Sequence, residues 1–440
     1  MWSKWTRIWK NDFVHDAAIL AGGTLISQVI VLATLPMITR LYNPEEYGTY
    51  SVYISILGIL LMLVSLSYEN AISLPKEDRS ALSLLSLAMR LCLIISVLCG
   101  IGIYFLRDRL GEWLHEAHMP PAELIFAGVL IAGAYQIVTW WAVRKKYFKA
   151  MAMAKCSQSA GQVGTQLSLS TLHWGALGLI IGEIIGRFLA LIQQMRLWRK
   201  DTRAIAFEPS WKEVRENAIR YRRFPFLSLP SGLLNSLGLY LPAILFAFFY
   251  DPHVAGWFAL GQRLLGSPMT LITTSISNVY LSNSSEYLNH SPHKLYGLFV
   301  KTLKNVFLIG LAIVIVFIAI PPEVYAFVFG EEWFHSGRFI RILAFMYLGQ
   351  FVANAVGTTI DVMERQDLHL YRELLRTLLI IGSIVTAKYS GQTAEMAVIY
   401  FSAASTLGYM IHLLMSWLAI QKYKRIQPDH DPERGETNHD

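Results

Sequence analysis

Charge is scarce in this chain. Asp, Glu, Lys and Arg make up 16% of its 440 residues, against 54% apolar residues. A soluble protein of this length could not cover its surface with so few charges. Long polar loops are also lacking. The longest gap between apolar runs on the side poor in basic residues, about 107–120, is too small for a catalytic domain. Cysteine is limited to Cys92, Cys99 and Cys156, each inside or beside an apolar run, with no CxxC pair and no secreted disulfide spacing. GxxxxGK[ST], HExxH and GxSxG are all missing. His115/His118 and His290/His293 have no Cys or carboxylate neighbours at metal-ligand spacing. The chain is therefore expected to be no enzyme and to carry no metal and no cofactor. A cleavable leader is not expected either. The opening WSKWTRIWKNDFVHD is basic and aromatic, and no small-residue cleavage site follows it. The net charge of +7 sits in loops, so membrane topology accounts for it and a nucleic-acid partner does not.

What is present is a succession of apolar runs of about 20 residues, the length that crosses a ~30 Å hydrocarbon core. Spans are expected at 15–37, 47–72, 80–106, 121–143, 150–171, 174–195, 224–248, 253–281, 297–320, 338–361, 370–389 and 394–419. The fifth and eighth are rich in Ser, Thr and Gln, and alternation of the loop charges requires them. Only Arg40, Arg107, Arg109, Arg338, Arg341 and Lys388 fall in gaps on one side. Most of the 38 Lys and Arg lie on the other side, which places both termini in the cytoplasm of a multi-pass protein of a bacterial inner membrane.

The basic stretch 196–223, with Pro209, divides the spans six and six. The halves echo each other. Tyr42-Asn43-Pro44, Gly48 and Tyr50 return as Tyr250-Asp251-Pro252, Gly256 and Phe258, at one offset of 208. Glu112-Trp113-x-His115 returns as Glu332-Trp333-x-His335. The expected fold is an all-α polytopic membrane protein of about 12 transmembrane helices. Two six-helix lobes, 1–195 and 224–420, would be related by a pseudo-twofold axis along the membrane normal, with a central polar cavity. The tail 421–440 is polar and expected to be disordered.

Charges inside spans mark function, because holding one in hydrocarbon costs at least a few kcal/mol. Arg90 lies in the third span and Arg263 in the eighth, with no carboxylate in either span, and both point to a cationic cavity for an anionic substrate. Glu183 and Arg187 are four apart in the sixth span. They form either a structural ion pair or part of that cavity. Polar stripes run along the fifth span (Gln158, Gln162, Gln166), the seventh (Ser228, Ser231, Asn235), the eighth (Thr270, Thr273, Thr274, Ser277, Asn278) and the tenth (Gln350, Asn354, Thr358, Asp361). Such stripes join helices or line a wet cavity. Four of them, drawn from both halves, favour a hydrophilic cavity suited to hydroxyl-rich ligands. Gly178, Gly182 and Gly186 read as small-xxx-small packing. Glu69 reads either as a solvated interfacial carboxylate or as an ion-coupling site.

The run Pro36-x-x-x-Arg40-Leu-Tyr-Asn-Pro44-Glu-Glu-Tyr-Gly48, continuing to Tyr68-Glu69-Asn70-Ala71-Ile72, resembles polysaccharide repeat-unit flippases of the Wzx type. These belong to the multidrug/oligosaccharidyl-lipid/polysaccharide exporter superfamily. Gly256-Trp-Phe-Ala-Leu-Gly-Gln-Arg263 and Val328-Phe-Gly330-Glu-Glu-Trp333 carry the same resemblance. It implies movement of an undecaprenyl-pyrophosphate-linked oligosaccharide (O-antigen, capsule or exopolysaccharide) from the cytoplasmic to the periplasmic leaflet by alternating access. It also implies a polysaccharide polymerase and a chain-length regulator as partners. On this reading Arg90, Arg187, Arg263, Gln162, Asn235, Gln350 and Asn354 line the substrate cavity. Arg40, Glu69, Glu183 and Asp361 serve coupling or gating, and the coupling ion, H⁺ or Na⁺, stays open. A small-molecule or drug antiporter of the same superfamily and a membrane-embedded polymerase or glycosyltransferase are the alternatives.

Overall fold

A computed structural model describes residues 12–113, 120–205, 210–290, 292–363 and 366–426. The side chains of 12–17, 107–113, 204, 289–290, 292–293, 361, 366–369 and 422–426 also lie outside the description. His115, His118 and the tail beyond 426 therefore fall outside the described residues, and the side chains of His290, His293 and Asp361 fall outside the description.

The chain is helical throughout its described length. In the first half come α1 (Asp12–Leu41), α2 (Pro44–Leu63), α3 (Asp78–Trp113), α4 (Ala122–Arg144), α5 (Phe148–Ser170) and α6 (Ala176–Ala204). A short helix, α7 (Trp211–Arg220), precedes α8 (Leu229–Phe249), α9 (Pro252–His290) and α10 (Pro292–Ala319). Then follow α11 (Pro322–Phe329), α12 (Phe334–Ala355), α13 (Gln366–Tyr389) and α14 (Ala394–Ile426). Every expected span finds its helix. Among the described residues 8 helices are long and apolar enough to cross a membrane. The long helices outside that set are α5, α9, α12 and α13. Two of them, α5 and α9, are the weakly hydrophobic spans that charge alternation demanded.

Three boundaries differ from expectation. The second span stops at Leu63, because Leu66 (φ 50°) and Ser67 (φ 62°) turn left-handed before a 3₁₀ turn at Tyr68–Ala71. Ser65 and Ser67 here offer the backbone local alternatives to the helix. The tenth span stops at Ala355, so Thr358 leaves the stripe begun by Gln350 and Asn354. The basic connection 196–223 is largely helical, as the end of α6 and then α7.

Compactness divides the described chain into two units, and the cut differs from the sequence halves. One unit comprises Met1–Leu260 with Glu323–His335; the other comprises Gly261–Pro322 with Ser336–Asp440.

In the first unit α5 and α6 approach closely along the glycine stripe. A β-carbon on Gly182 would lie 2.9 Å from the Gln162 carbonyl, and one on Gly186 would lie 3.0 Å from the Gln162 nitrogen. Gln166 donates to the Leu179 carbonyl at 3.0 Å. The fifth-span stripe is thus spent largely on helix contact. Gly182→Val is expected to cost about 1–3 kcal/mol by overpacking. A lowered unfolding midpoint of the purified protein would show it, and an unchanged midpoint would contradict this packing.

Candidate functional site

The segments that carry the sequence motifs meet at one junction in the first unit. Asn43 caps α2: its side chain accepts from the Glu46 N–H at 2.8 Å, and Glu46 accepts from the Asn43 N–H at 3.0 Å. Pro44 follows as the first helical residue, where its missing N–H costs nothing. Asp251 and Pro252 open α9 in the same way, with Asp251 accepting from the His253 N–H at 2.8 Å. The two openings then pack on each other reciprocally. A β-carbon on Gly48 would collide with the Pro252 carbonyl, and one on Gly256 with the Pro44 carbonyl. His253 stands 3.6 Å from Glu45, its counterpart at the offset of 208. Residue i meets residue j while j meets i, as a twofold relation between duplicated segments requires.

The segment 323–335 closes over this junction. The Trp333 indole donates to the Thr39 carbonyl at 2.8 Å and packs edge-on against Tyr47, with ring centroids 5.5 Å apart. Trp257 donates to the Glu332 carbonyl at 2.9 Å. Gly330, at φ 110°, makes the turn that delivers Trp333. Arg40 is exposed and forks onto the last carbonyls of α11, Phe327 at 2.7 Å and Val328 at 3.2 Å. A cation suits that helix end. The Tyr42 phenol donates to the Gln166 carbonyl at 2.7 Å. Burial, then the neighbouring Glu46, pushes its pKa up to about 12.

Deeper in the same unit lies an ion pair. Arg187 Nε donates to Glu183 at 2.6 Å, and Glu183 is 5% exposed. Tyr50 donates to the other Glu183 oxygen at 3.0 Å, and Gln162 donates to the Tyr50 hydroxyl at 3.1 Å. Gln162 is buried, so it supports the pair instead of facing an open cavity. The second copy has Phe258 in place of Tyr50, its ring tilted against Phe246 with centroids 4.7 Å apart. Only the first copy can hold this network.

In the second unit the eighth- and tenth-span stripes face each other. Thr270, Thr273, Thr274, Ser277 and Asn278 of α9 and Tyr347, Gln350, Phe351 and Asn354 of α12 line a cavity of about 190 Å³. No carboxylate is among the lining residues. Gln350 is half-buried and Asn354 exposed. Arg263 is half-buried on α9, about two turns before that lining begins.

Other expected site residues lie apart. Glu69 is 3% exposed beside the broken end of α2. It accepts from Ser65 and, at 3.0 Å, from Gln136 of α4, and both partners are neutral. Asn235 is exposed on α8. Arg90, placed by the sequence in a cationic cavity, is exposed, with its guanidinium 5.6 Å from the Trp211 ring centroid.

Sequence reasoning missed a second charged cluster. Arg376 reaches Glu373 at 2.7 Å, Arg372 pairs with the same carboxylate, and Arg372 contacts His412 of α14 at 3.0 Å. Glu373 and His412 are 3% and 4% exposed. Arg372 and Arg376 open the eleventh expected span, where the sequence alone counts them with the basic side of the membrane. The signal was Glu373 between them, with all three on about one turn.

The chain matches known proteins along most of its length. The family model described as polysaccharide biosynthesis protein covers residues 37–337. The succinoglycan biosynthesis transport protein ExoT of Rhizobium meliloti (strain 1021) is 19% identical over 388 residues, 86% of this chain and 75% of that one. The solved structure of the lipid II flippase MurJ in an inward closed conformation aligns with a TM-score of 0.70 at 13% identity, over 92% of this chain and 90% of that one. An inward-facing multidrug resistance MATE family transporter of the MOP superfamily gives 0.58 at 15% identity, over 93% and 95%. At these identities the structures speak to the fold: the two-lobe, multi-pass architecture of that superfamily.

Proposed function

The chain belongs to the polysaccharide biosynthesis protein family, and from that premise we propose that it is a flippase for undecaprenyl-pyrophosphate-linked oligosaccharide repeat units. It carries them from the cytoplasmic to the periplasmic leaflet of an inner membrane by alternating access, with both termini cytoplasmic.

The observation that supports this best is the lining of the α9–α12 cavity. The Thr and Ser hydroxyls and the Asn278, Gln350 and Asn354 amides offer what a hydroxylated sugar ring needs, donors and acceptors in one cavity. The lining has no carboxylate to offer a cationic drug. Arg263, on the same helix as the α9 side of that lining, supplies positive charge for a pyrophosphate. A relative named for succinoglycan transport and a structural neighbour named as a lipid II flippase agree with this substrate class. We assign ion coupling to Glu69, whose neutral partners leave its charge uncompensated.

The test is complementation of a deletion strain. Gln350→Leu with Asn354→Leu is expected to cut surface polysaccharide at least about tenfold at normal protein levels, because a polar site rejects a sugar whose partners are gone. Drug efflux by the wild type with no polysaccharide defect on deletion would favour the antiporter reading instead. Glu69→Gln is expected to make the rate of lipid-linked sugar movement in proteoliposomes indifferent to an imposed pH or Na⁺ gradient. If the variant keeps the gradient dependence of the wild type, coupling lies elsewhere.

A further inference from the structure

Arg90 takes no part in the sites above, and α7 has no role in them. The two meet. Arg90 lies about 18 Å along α3 from Asp78, at 1.5 Å per residue, and its guanidinium stands over Trp211, the first residue of α7.

One face of α7 is fixed. Val214 is 1% exposed; Asn217 donates to Ser83 at 2.7 Å, Glu213 pairs with Arg79 at 2.9 Å, and the Tyr68 hydroxyl donates to the Ala218 carbonyl at 3.0 Å. The other face is open and mixed. Trp211 is 67% and Ile219 54% exposed, interleaved with exposed Lys212, Arg215 and Arg220. The chain then passes through Arg222 and Arg223, both exposed, to Phe226 at 74% and Leu227 at 65%. Within 210–223 Glu216 is the exposed acid. Phe224–Phe249 is itself a candidate membrane span, so this surface borders the bilayer.

Two simpler partners fit half of it. A soluble polyanion would neutralise the basic residues and leave Trp211, Ile219, Phe226 and Leu227 in water. A neutral lipid would cover those side chains and leave the cations unmatched. A lipid with an anionic headgroup does both, and a Trp beside Lys and Arg is the composition of such an interface.

We infer that α7 with Arg90 is a binding surface for anionic phospholipid. Arg90, Lys212 and Arg215 engage the headgroup phosphate, and Trp211 and Ile219 lie against the acyl chains. Arg215 is four residues from Trp211, on the same helical face. The surface fastens through Asn217 to α3 and through Ala218 to Tyr68, beside Glu69, so bound lipid would brace the broken end of α2.

The test uses the purified full chain in detergent, given phosphatidylglycerol or phosphatidylcholine at equal concentration, with retained lipid read by native mass spectrometry. The wild type is expected to retain phosphatidylglycerol preferentially. Each basic residue is worth about fivefold, so Arg90→Gln with Lys212→Gln and Arg215→Gln should reduce that preference about a hundredfold. Trp211→Ala should weaken retention of both lipids. All four are exposed side chains or hold no buried partner, so folding should persist, and an unchanged unfolding midpoint checks it. Arg196→Gln with Arg199→Gln, exposed basic residues elsewhere, should change nothing. The proposal is overturned by a triple variant that retains phosphatidylglycerol like the wild type. Equal retention of phosphatidylcholine overturns it too, as does displacement by soluble glycerol phosphate at the same concentration. None of these readouts depends on the transported substrate.

Discussion

Glu183→Ala is expected to destabilise the protein by about 3–5 kcal/mol, more than any other single substitution in the first unit's polar network. The carboxylate is 5% exposed and holds Arg187 at 2.6 Å. Its removal leaves the Arg187 guanidinium without this counter-charge, and the Tyr50 hydroxyl loses its acceptor. The paired replacement Glu183→Leu with Arg187→Met should restore most of the stability, since both charges then leave together. It should not restore transport if the arginine meets a pyrophosphate. Thermal unfolding in detergent and surface polysaccharide in a deletion strain separate the outcomes. A stable double variant that exports normally would reduce the pair to a structural fastening.

Trp333→Ala should cost about 3–5 kcal/mol, the range for truncating a buried aromatic. Trp333 is 1% exposed, and it joins 323–335 to Thr39 and Tyr47. Arg40→Ala should cost much less, because its fork onto the Phe327 and Val328 carbonyls is exposed. Hydrogen exchange reads the difference. In Trp333→Ala, protection should fall in 36–50 and 323–335 together. Loss confined to 323–335 would mean that the segment decorates the junction without holding it.

Much of the architecture was legible in the sequence because the bilayer imposes it. Span length and basic-residue asymmetry located every long helix, including α5 and α9, where hydropathy fails. The repeat was legible through the caps: Asn43-Pro44 and Asp251-Pro252 are helix starts, and Gly48 and Gly256 recur because each copy sits on the other's backbone. Paired residues four apart, Glu183 and Arg187, were also readable. What a span buries was less so. Arg90 and Arg187 look alike in a string of apolar residues, yet one reaches out over Trp211 and the other turns in to Glu183. That choice depends on which helix lies alongside. The same holds for Gln162, which supports Tyr50, and for Arg372, whose partner His412 only packing brings alongside. The break after Leu63, which sets Glu69 against Gln136, depends on left-handed residues that no pattern announced.

On the function proposed above, this chain moves a lipid-linked oligosaccharide between leaflets. Deleting the gene while leaving repeat-unit synthesis intact tests it most directly, by measuring on which leaflet the lipid-linked repeat unit accumulates. Accumulation facing the cytoplasm is expected, protected from added glycan-modifying enzyme until the membrane is opened, and relieved by the wild-type gene but not by Arg263→Ala. Repeat units that still reach the periplasmic leaflet at the wild-type rate would contradict it.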